Sequence, residues 1–319
     1  MVTVAVVTYQ SGLYVFETLE SIYNQTYQDI ELIISDDCSK DNTVEIVNQW
    51  VSLEKNQKRF SRIEVITVPS NTGVSANCNR CINASNSDWI KFIAGDDILL
   101  PNCIEDNLAF AFSNPEAKVI FSQLKVFQDT FEEKNYVKIT PLEFPNNLFA
   151  DSFSANDQYK LLLVGDRIHF TPSSFFYKQI FKEVSGFDES NRLVEDYPMW
   201  LKLTQSGVRL HYFHKATVGY RIHANALNNT GNSVLFKPSV LKSHAIRKEM
   251  AFPFLPWEMV LSEKQIYLVS QLFNTIGLNK NTNRNRILYR FACFYANPFY
   301  YIYAIKKRIS SNKNNPFYK

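Results

Sequence analysis

The chain has 319 residues, 45% of them hydrophobic and 20% charged, enough to bury one large α/β core with an appendage and too apolar for a disordered polymer. Its five cysteines, Cys38, Cys78, Cys81, Cys103 and Cys293, are odd in number and scattered, which excludes a disulfide framework, and the single Cys78-x-x-Cys81 without a second pair excludes a zinc site. The net charge of +3 hides an asymmetry: residues 264–319 hold ten Lys or Arg and no acid, leaving 24 basic and 31 acidic groups in the first 263 residues. An acidic body with a basic, aromatic tail fits an anionic membrane surface better than nucleic acid.

Residues 2–7 form a β-rich run, followed by a polar loop, Thr8 to Gly12, and by apolar positions Leu13, Phe16, Leu19, Ile22 and Tyr23 at helical spacing. Met1 leads into this run without a basic start or long apolar core, so a first strand is expected rather than a signal peptide, in a reducing cytoplasm. Residues 31–35, the loop DDCSKDNT and a helix containing Val44, Val47 and Val51 repeat the unit. Residues 63–68, the loop SNTGVSANCN and a helix around Arg80 make a third. The fourth is the run 89–93, then Ala94, Gly95 and the adjacent acids Asp96 and Asp97, with a helix after Pro101 and a strand over 117–126.

Alternating strands and helices predict a mostly parallel sheet with right-handed crossovers, a Rossmann-like nucleotide-binding half. There is no GxGxxG turn; the loops carry small polar and acidic groups, which suit sugar, base and metal contacts. Ligands of such sheets bind beyond the carboxyl ends of the strands, where Asp96 and Asp97 fall. Two carboxylates there suggest a divalent cation and a phosphate; the same pair would also serve as an acidic turn or helix cap.

Residues 127–158 lose periodicity and read as a long connection or an antiparallel excursion. Residues 169–177, HFTPSSFFY, have strand character broken at Pro172, and VSGFDES follows. VEDYPMWLKLTQSG predicts a helix with Asp196 as cap, Pro198 in the first turn and Gly207 as stop, and residues 210–222 predict one or two strands ending at His223. Residues 240–275 have helical spacing, and 287–305 are aromatic before Lys306, Lys307 and Arg308. Arg290, Asn297 and Pro298 interrupt that last stretch, so it predicts an interfacial anchor, or a helical lid with a basic tip, rather than a membrane span.

Seven motifs, VVTYQ, DDCSKDNT, NTGVSANCN, GDD, GFDES, EDYPMW and YRIH, resemble in order and spacing the family 2 glycosyltransferases with a GT-A fold, over roughly the first 225 residues. The resemblance implies inverting transfer of a sugar from a nucleotide donor, most often a UDP-sugar, to a saccharide hydroxyl. It implies a GT-A domain over 1–225, with a nucleotide half 1–126 and an acceptor half 127–225, and a helical extension over 226–319. By the same resemblance Thr8, Tyr9, Asp36, Asp37, Asn79, Arg80 and Asp96 hold the donor. Asp97, with Asp96 and His223, holds Mg2+ or Mn2+. Asp196 is the general base, and Ser173, Asp188, Glu195 and Trp200 line the sugar or acceptor side. Gly73 and the helix start after it would attract the diphosphate.

The expected partners are a nucleotide sugar and a saccharide or lipid-linked saccharide acceptor, with peripheral contact at the inner face of the cell membrane through the C-terminal tail and no nucleic acid. Two departures from the family pattern, Ala94 in place of a further acid and Cys78 in place of an arginine, leave a non-catalytic sugar-nucleotide binder as the alternative. A nucleotidyltransferase is disfavoured because TYQSG, after the first strand, lacks a basic residue.

Overall fold

The computed structural model describes residues 1–190, 194–224, 234–236, 238–309 and 316–318. The chain divides into two compact units: Met1–Gln158 with Arg167–Ile222, and Tyr159–Asp166 with His223–Lys319. The stretch 225–229, which follows YRIH, lies outside the described residues, and so does the first residue after the expected domain boundary.

The first unit is built on one sheet, with strands β1 (Val2–Thr8), β2 (Ile30–Asp36), β3 (Arg62–Thr67), β4 (Trp89–Ala94), β5 (Ile98–Leu99), β6 (Val119–Gln128), β7 (Tyr136–Thr140), β8 (Phe175–Tyr177) and β9 (Leu210–Ile222). Their order is β3-β2-β1-β4-β8-β6-β9-β5, with β7 added to β6. The first four strands run parallel, as the alternation of strands and helices requires. β1 and β2 are covered on both faces, which explains why VTVAVVT and IELIISD read as near-continuous apolar runs rather than alternating ones. Crossover helices Val15–Tyr23, Thr43–Ser52 and Val74–Ala84 connect these strands, the first burying Val15, Thr18, Leu19 and Ile22.

Beyond β4 the sheet becomes mixed. β8 pairs antiparallel with β4 and β6, β7 antiparallel with β6, and β9 parallel with β6. The two-residue β5 pairs with β9 more than a hundred positions away along the chain. Residues 127–158, expected to be irregular, contain β7 and the helix Asn146–Phe149, and the helix Ala155–Val164 begins within them. The architecture is α/β, with helices flanking a curled sheet.

The second unit is helical, with Pro238–Met250, Trp257–Thr275, Asn283–Arg290 and Pro298–Ile309 as its main elements and a π-helical turn at Phe291–Tyr295. Within it Glu258 is fully buried and receives the Lys306 ammonium at 3.0 Å and the Tyr318 hydroxyl at 2.6 Å. Among the described residues no helix is long and apolar enough to cross a membrane.

Candidate active site

Strand register sets the site. Thr8 lies opposite Asp36, and Val7 opposite Ala94, so the loops after β1, β2 and β4 all leave the same carboxyl edge of the sheet. β1 has β2 on one side and β4 on the other, which makes this edge a topological switch point, the place where open α/β sheets take ligands.

On the β2 side the acids are saturated. Thr8 donates its hydroxyl to Asp36 at 2.9 Å, and Ser39 adds its N–H at 2.8 Å and its hydroxyl at 2.6 Å. Asp37 accepts from Thr72 N–H and hydroxyl, from Gly73 N–H at 2.7 Å and from the Arg80 guanidinium at 2.9 Å. Burial pushes the Asp37 carboxyl up, but these four donors outweigh it and hold the group below the usual carboxylate range. Gly73, at φ 94° where a side chain would be strained, places its N–H toward Asp37. Asp37 is thus bonded to the two N–H groups, of Thr72 and Gly73, that immediately precede the helix Val74–Ala84. Tyr9 is exposed beside this edge.

Arg80 turns to Asp37, Thr72 and Ser35, so it ties the third loop to β2. Asn79 instead faces the GFDES loop, donating to Phe187 O at 2.9 Å and to Glu189 and accepting Phe187 N–H at 2.9 Å. Gly186 makes that contact possible, since a Cβ there would lie 2.7 Å from the Asn79 oxygen. Asp188, half-buried, accepts from Ser190 N–H and hydroxyl and closes a local turn.

On the β4 side the balance is opposite. Asp97 is 2% exposed, and among the described residues its carboxylate has one hydrogen-bond donor, the Arg221 N–H at 2.9 Å. Burial and the adjacent Asp96 push it well above the ordinary aspartate range, against weaker pulls from Arg221 and Lys91. Arg221, not singled out from sequence, organises this turn: its Nε donates to Asp96 O at 2.8 Å, its fork reaches Asp129 O at 2.5 Å and Glu17, and its guanidinium lies 4.7 and 4.2 Å from the Tyr14 and Phe131 rings. Two adjacent acids, one of them buried with its charge poorly compensated, are a donor set of the kind that accepts a hard divalent cation. Among the described residues no three His, Cys, Asp or Glu side chains converge to hold a metal. His223 is buried and belongs to the second unit.

The remaining acids open the helix Asp196–Gln205. Asp196 is the first residue of that helix rather than its cap; it accepts the Tyr197 N–H at 2.7 Å and the Thr171 hydroxyl at 2.9 Å. Glu195 occupies the cap position without a side-chain cap bond, and burial together with the Asp196 charge raises it to about 7. Thr171, in the 3-10 turn Thr171–Ser173, is a partner that sequence reading passed over in favour of Ser173. Ser173 and Trp200 both lie in the core. Ser173 is fully buried, receiving Ser122 N–H at 3.0 Å and donating to Phe170 O at 2.7 Å. Trp200, 1% exposed, packs edge-on against Phe121 and stacks on Phe176.

The sequence signature of glycosyl transferase family 2 matches residues 3–183, more than half of the chain, which belongs to that family. Relatives include an uncharacterized glycosyltransferase of Methanocaldococcus jannaschii, 25% identical over 87% of this chain and 91% of its own length. Another is WfaP of Escherichia coli, a UDP-Glc:alpha-D-GlcNAc-diphosphoundecaprenol beta-1,3-glucosyltransferase, 25% identical over 77% of this chain and 88% of its own. Among solved structures, Staphylococcus aureus TarS 1-349 in complex with UDP-GlcNAc superposes with TM-score 0.56 at 18% identity, covering 93% of this chain and 82% of TarS. The mannosyltransferase PcManGT of Pyrobaculum calidifontis, in complex with GDP-Man and Mn2+, superposes with TM-score 0.51 at 14% identity, over 97% of this chain and 76% of its own. The fold is GT-A.

Proposed function

We propose that the chain transfers a sugar from a nucleoside diphosphate donor, a UDP-sugar, to a saccharide hydroxyl with inversion at the anomeric carbon. The observation that carries this reading is the pairing of two differently treated acids at one sheet edge. Asp97 follows β4, and Asp196 is bonded to the turn that enters β8, the strand next to β4. Because β8 runs antiparallel to β4, with Phe175 opposite Lys91, residues 171–174 lie toward the carboxyl end of β4. The names of WfaP and TarS support a UDP-linked donor.

In this reading residues 1–126 supply the donor side. Tyr9 and the loops tied by Asp36 and Asp37 shape the base and ribose pocket, with Arg80 and Asn79 holding those loops. Asp97, with Asp96 beside it, would hold Mg2+ or Mn2+, which when bound would offset charge on the departing diphosphate. Asp196 accepts the acceptor hydroxyl's proton as that oxygen attacks, Thr171 fixes its carboxylate, and Glu195 and Asp188 face the sugar side.

The acceptor is a lipid-linked saccharide, a reading supported by WfaP's undecaprenol substrate. It places the helical extension against anionic lipid. Exposed Ile287, Phe291, Tyr295, Ile305 and Ile309 beside Lys306, Lys307 and Arg308 support that contact.

The test is release of nucleoside diphosphate from a panel of nucleotide sugars, with Mn2+ or with chelator, for wild type, Asp97→Ala and Asp196→Asn. Metal-dependent turnover of one donor, lost by a factor of about 10²–10⁴ in each variant, is expected. Nucleotide binding without any turnover would favour the non-catalytic binder, and absence of both would overturn the donor site.

A further inference from the structure

We propose that Lys91, whose charge also pulls weakly on Asp97, is a positioning residue for the base. It acts by fixing the turn 171–174 that holds Asp196. The proposal rests on the transferase reading above and adds a residue to it.

Lys91 lies in the middle of β4, fully buried in an otherwise apolar strand. An ammonium in such a place is costly unless it is hydrogen-bonded. Its Nζ donates to Pro172 O at 2.5 Å and Ser174 O at 3.2 Å. Both carbonyls belong to the segment entering β8, where the ladder with β4 is three residue pairs long and Phe175 is its last partner. Both carbonyls lie beyond the last pair of the ladder, so a donor outside the ladder, Lys91 Nζ, satisfies them. On its other side the turn is anchored by Ser122 N–H donating to Ser173 Oγ.

The Thr171 hydroxyl, at the start of the turn so fixed, donates to Asp196 Oδ2, 2.9 Å away. One chain of bonds runs from the β4 interior to the carboxylate: Lys91 Nζ, Pro172 and Ser174 carbonyls, Thr171 Oγ1, Asp196. A methionine has nearly the same length and apolar stem but no donors. Lys91→Met should therefore release the turn while leaving the donor-side loops, which Asp36 and Asp37 tie independently, in place.

The experiment measures kcat and KM for the nucleotide sugar, nucleotide affinity and thermal unfolding in wild type, Lys91→Met, Lys91→Arg, Thr171→Val, Asp196→Asn and the Lys91→Met/Thr171→Val double variant. Lys91→Met and Thr171→Val should each lower kcat about ten- to a hundredfold, since displacement on the order of 1 Å is enough for that. Nucleotide affinity measured without metal should stay within about twofold; with metal it can shift further in Lys91→Met, because the Lys91 charge also acts on Asp97, but not in Thr171→Val. The double variant should be no worse than the poorer single, because both cut the same link. Lys91→Arg, which retains donors, should recover part of the loss.

Unchanged kcat in Lys91→Met, losses that multiply in the double variant, or a fall in nucleotide affinity without metal equal to the fall in kcat would overturn the proposal. If Lys91→Met does not fold, Thr171→Val cuts the link at its far end, and an unchanged kcat there overturns it equally. Full activity in Asp196→Asn, or no turnover of any donor by wild type, would instead overturn the transferase reading beneath it.

Discussion

Asp37 and Asp97 follow strands on either side of β1, are each 2% exposed, and are treated in opposite ways. Around Asp37 the third loop supplies two N–H groups and a hydroxyl and the next helix supplies Arg80, so the carboxylate is more stable folded than in water-exposed chain. Among the described residues Asp97 receives one N–H and faces a second acid, and the pulls of Arg221 and Lys91 do not offset its burial. The first acid is a clamp that shapes a loop. The second is held in a state that a cation would relieve, and a fold keeps such strain where binding uses it.

The comparison breaks most visibly in Asp97→Asn. Turnover should fall by about 10²–10³ or more, as for loss of an electrostatic group at the reaction centre, while thermal stability without metal is retained or raised. The sign follows from linkage: an acid whose folded pKa is raised keeps its proton longer folded than unfolded. Wild type should thus lose stability as pH climbs above the unfolded carboxylate value of about 4, and Asp97→Asn should lack that part of the slope in unfolding measured across pH.

Asp37→Asn should behave in the reverse manner, losing about 3–5 kcal/mol because Arg80 is left without its buried partner. The folded pKa of Asp37 is lowered, so its stabilisation is present above the unfolded pKa and fades as pH falls through the folded one. Denaturant unfolding of Asp37→Asn beside the Asp37→Asn/Arg80→Met pair checks this: the double variant should lose less than the sum of the two singles. Equal stability of Asp37→Asn and wild type would mean that the clamp is not one.

A smaller contrast is expected from metal alone. Mn2+ should raise the unfolding temperature of wild type and of Asp37→Asn but not of Asp97→Asn, by an amount that grows with the logarithm of its concentration above Kd. The smallest effect concerns Glu195, raised to about 7 by burial and by Asp196. Glu195→Gln should be relatively more stable than wild type at pH 8 than at pH 5, because the charge that burial disfavours is gone. Its turnover should fall far less than that of Asp196→Asn. A collapse of turnover equal to that of Asp196→Asn would move the proton-accepting role toward the pair as a whole.

The acids were legible as acids after strand ends, but their partners were not. Thr72, Gly73 and Arg80 lie 35 to 43 positions from Asp37, and Arg221 lies 124 from Asp97, so no local spacing relates them. Thr171 and Ser173 are hydroxyl residues on either side of one proline. Only the sheet register decides which of them turns inward to β6 and which to Asp196. Trp200 read as a sugar platform because an aromatic near a base suggests one, yet the mixed half of the sheet surrounds it with Phe121 and Phe176. One signal was available and passed over: a lysine inside the run WIKFIA is a charge on a strand that is otherwise core.

What the sequence determined by itself is the alternation of apolar runs with polar loops. Strand and helix formation in β1 to β4 depends on neighbours within a dozen residues, and the right-handed crossover leaves one parallel arrangement. It also determined that acids follow the strand ends, since that is order along a line. Tertiary structure decided the rest: the position of β8 between β4 and β6, the antiparallel pairing of β5 with β9, and the burial and hydrogen bonding that make Asp37 a clamp and leave Asp97 strained. The physical reason is that a carboxylate's free energy is set by the donors and water around it, and those are brought from distant parts of the chain only when the sheet closes.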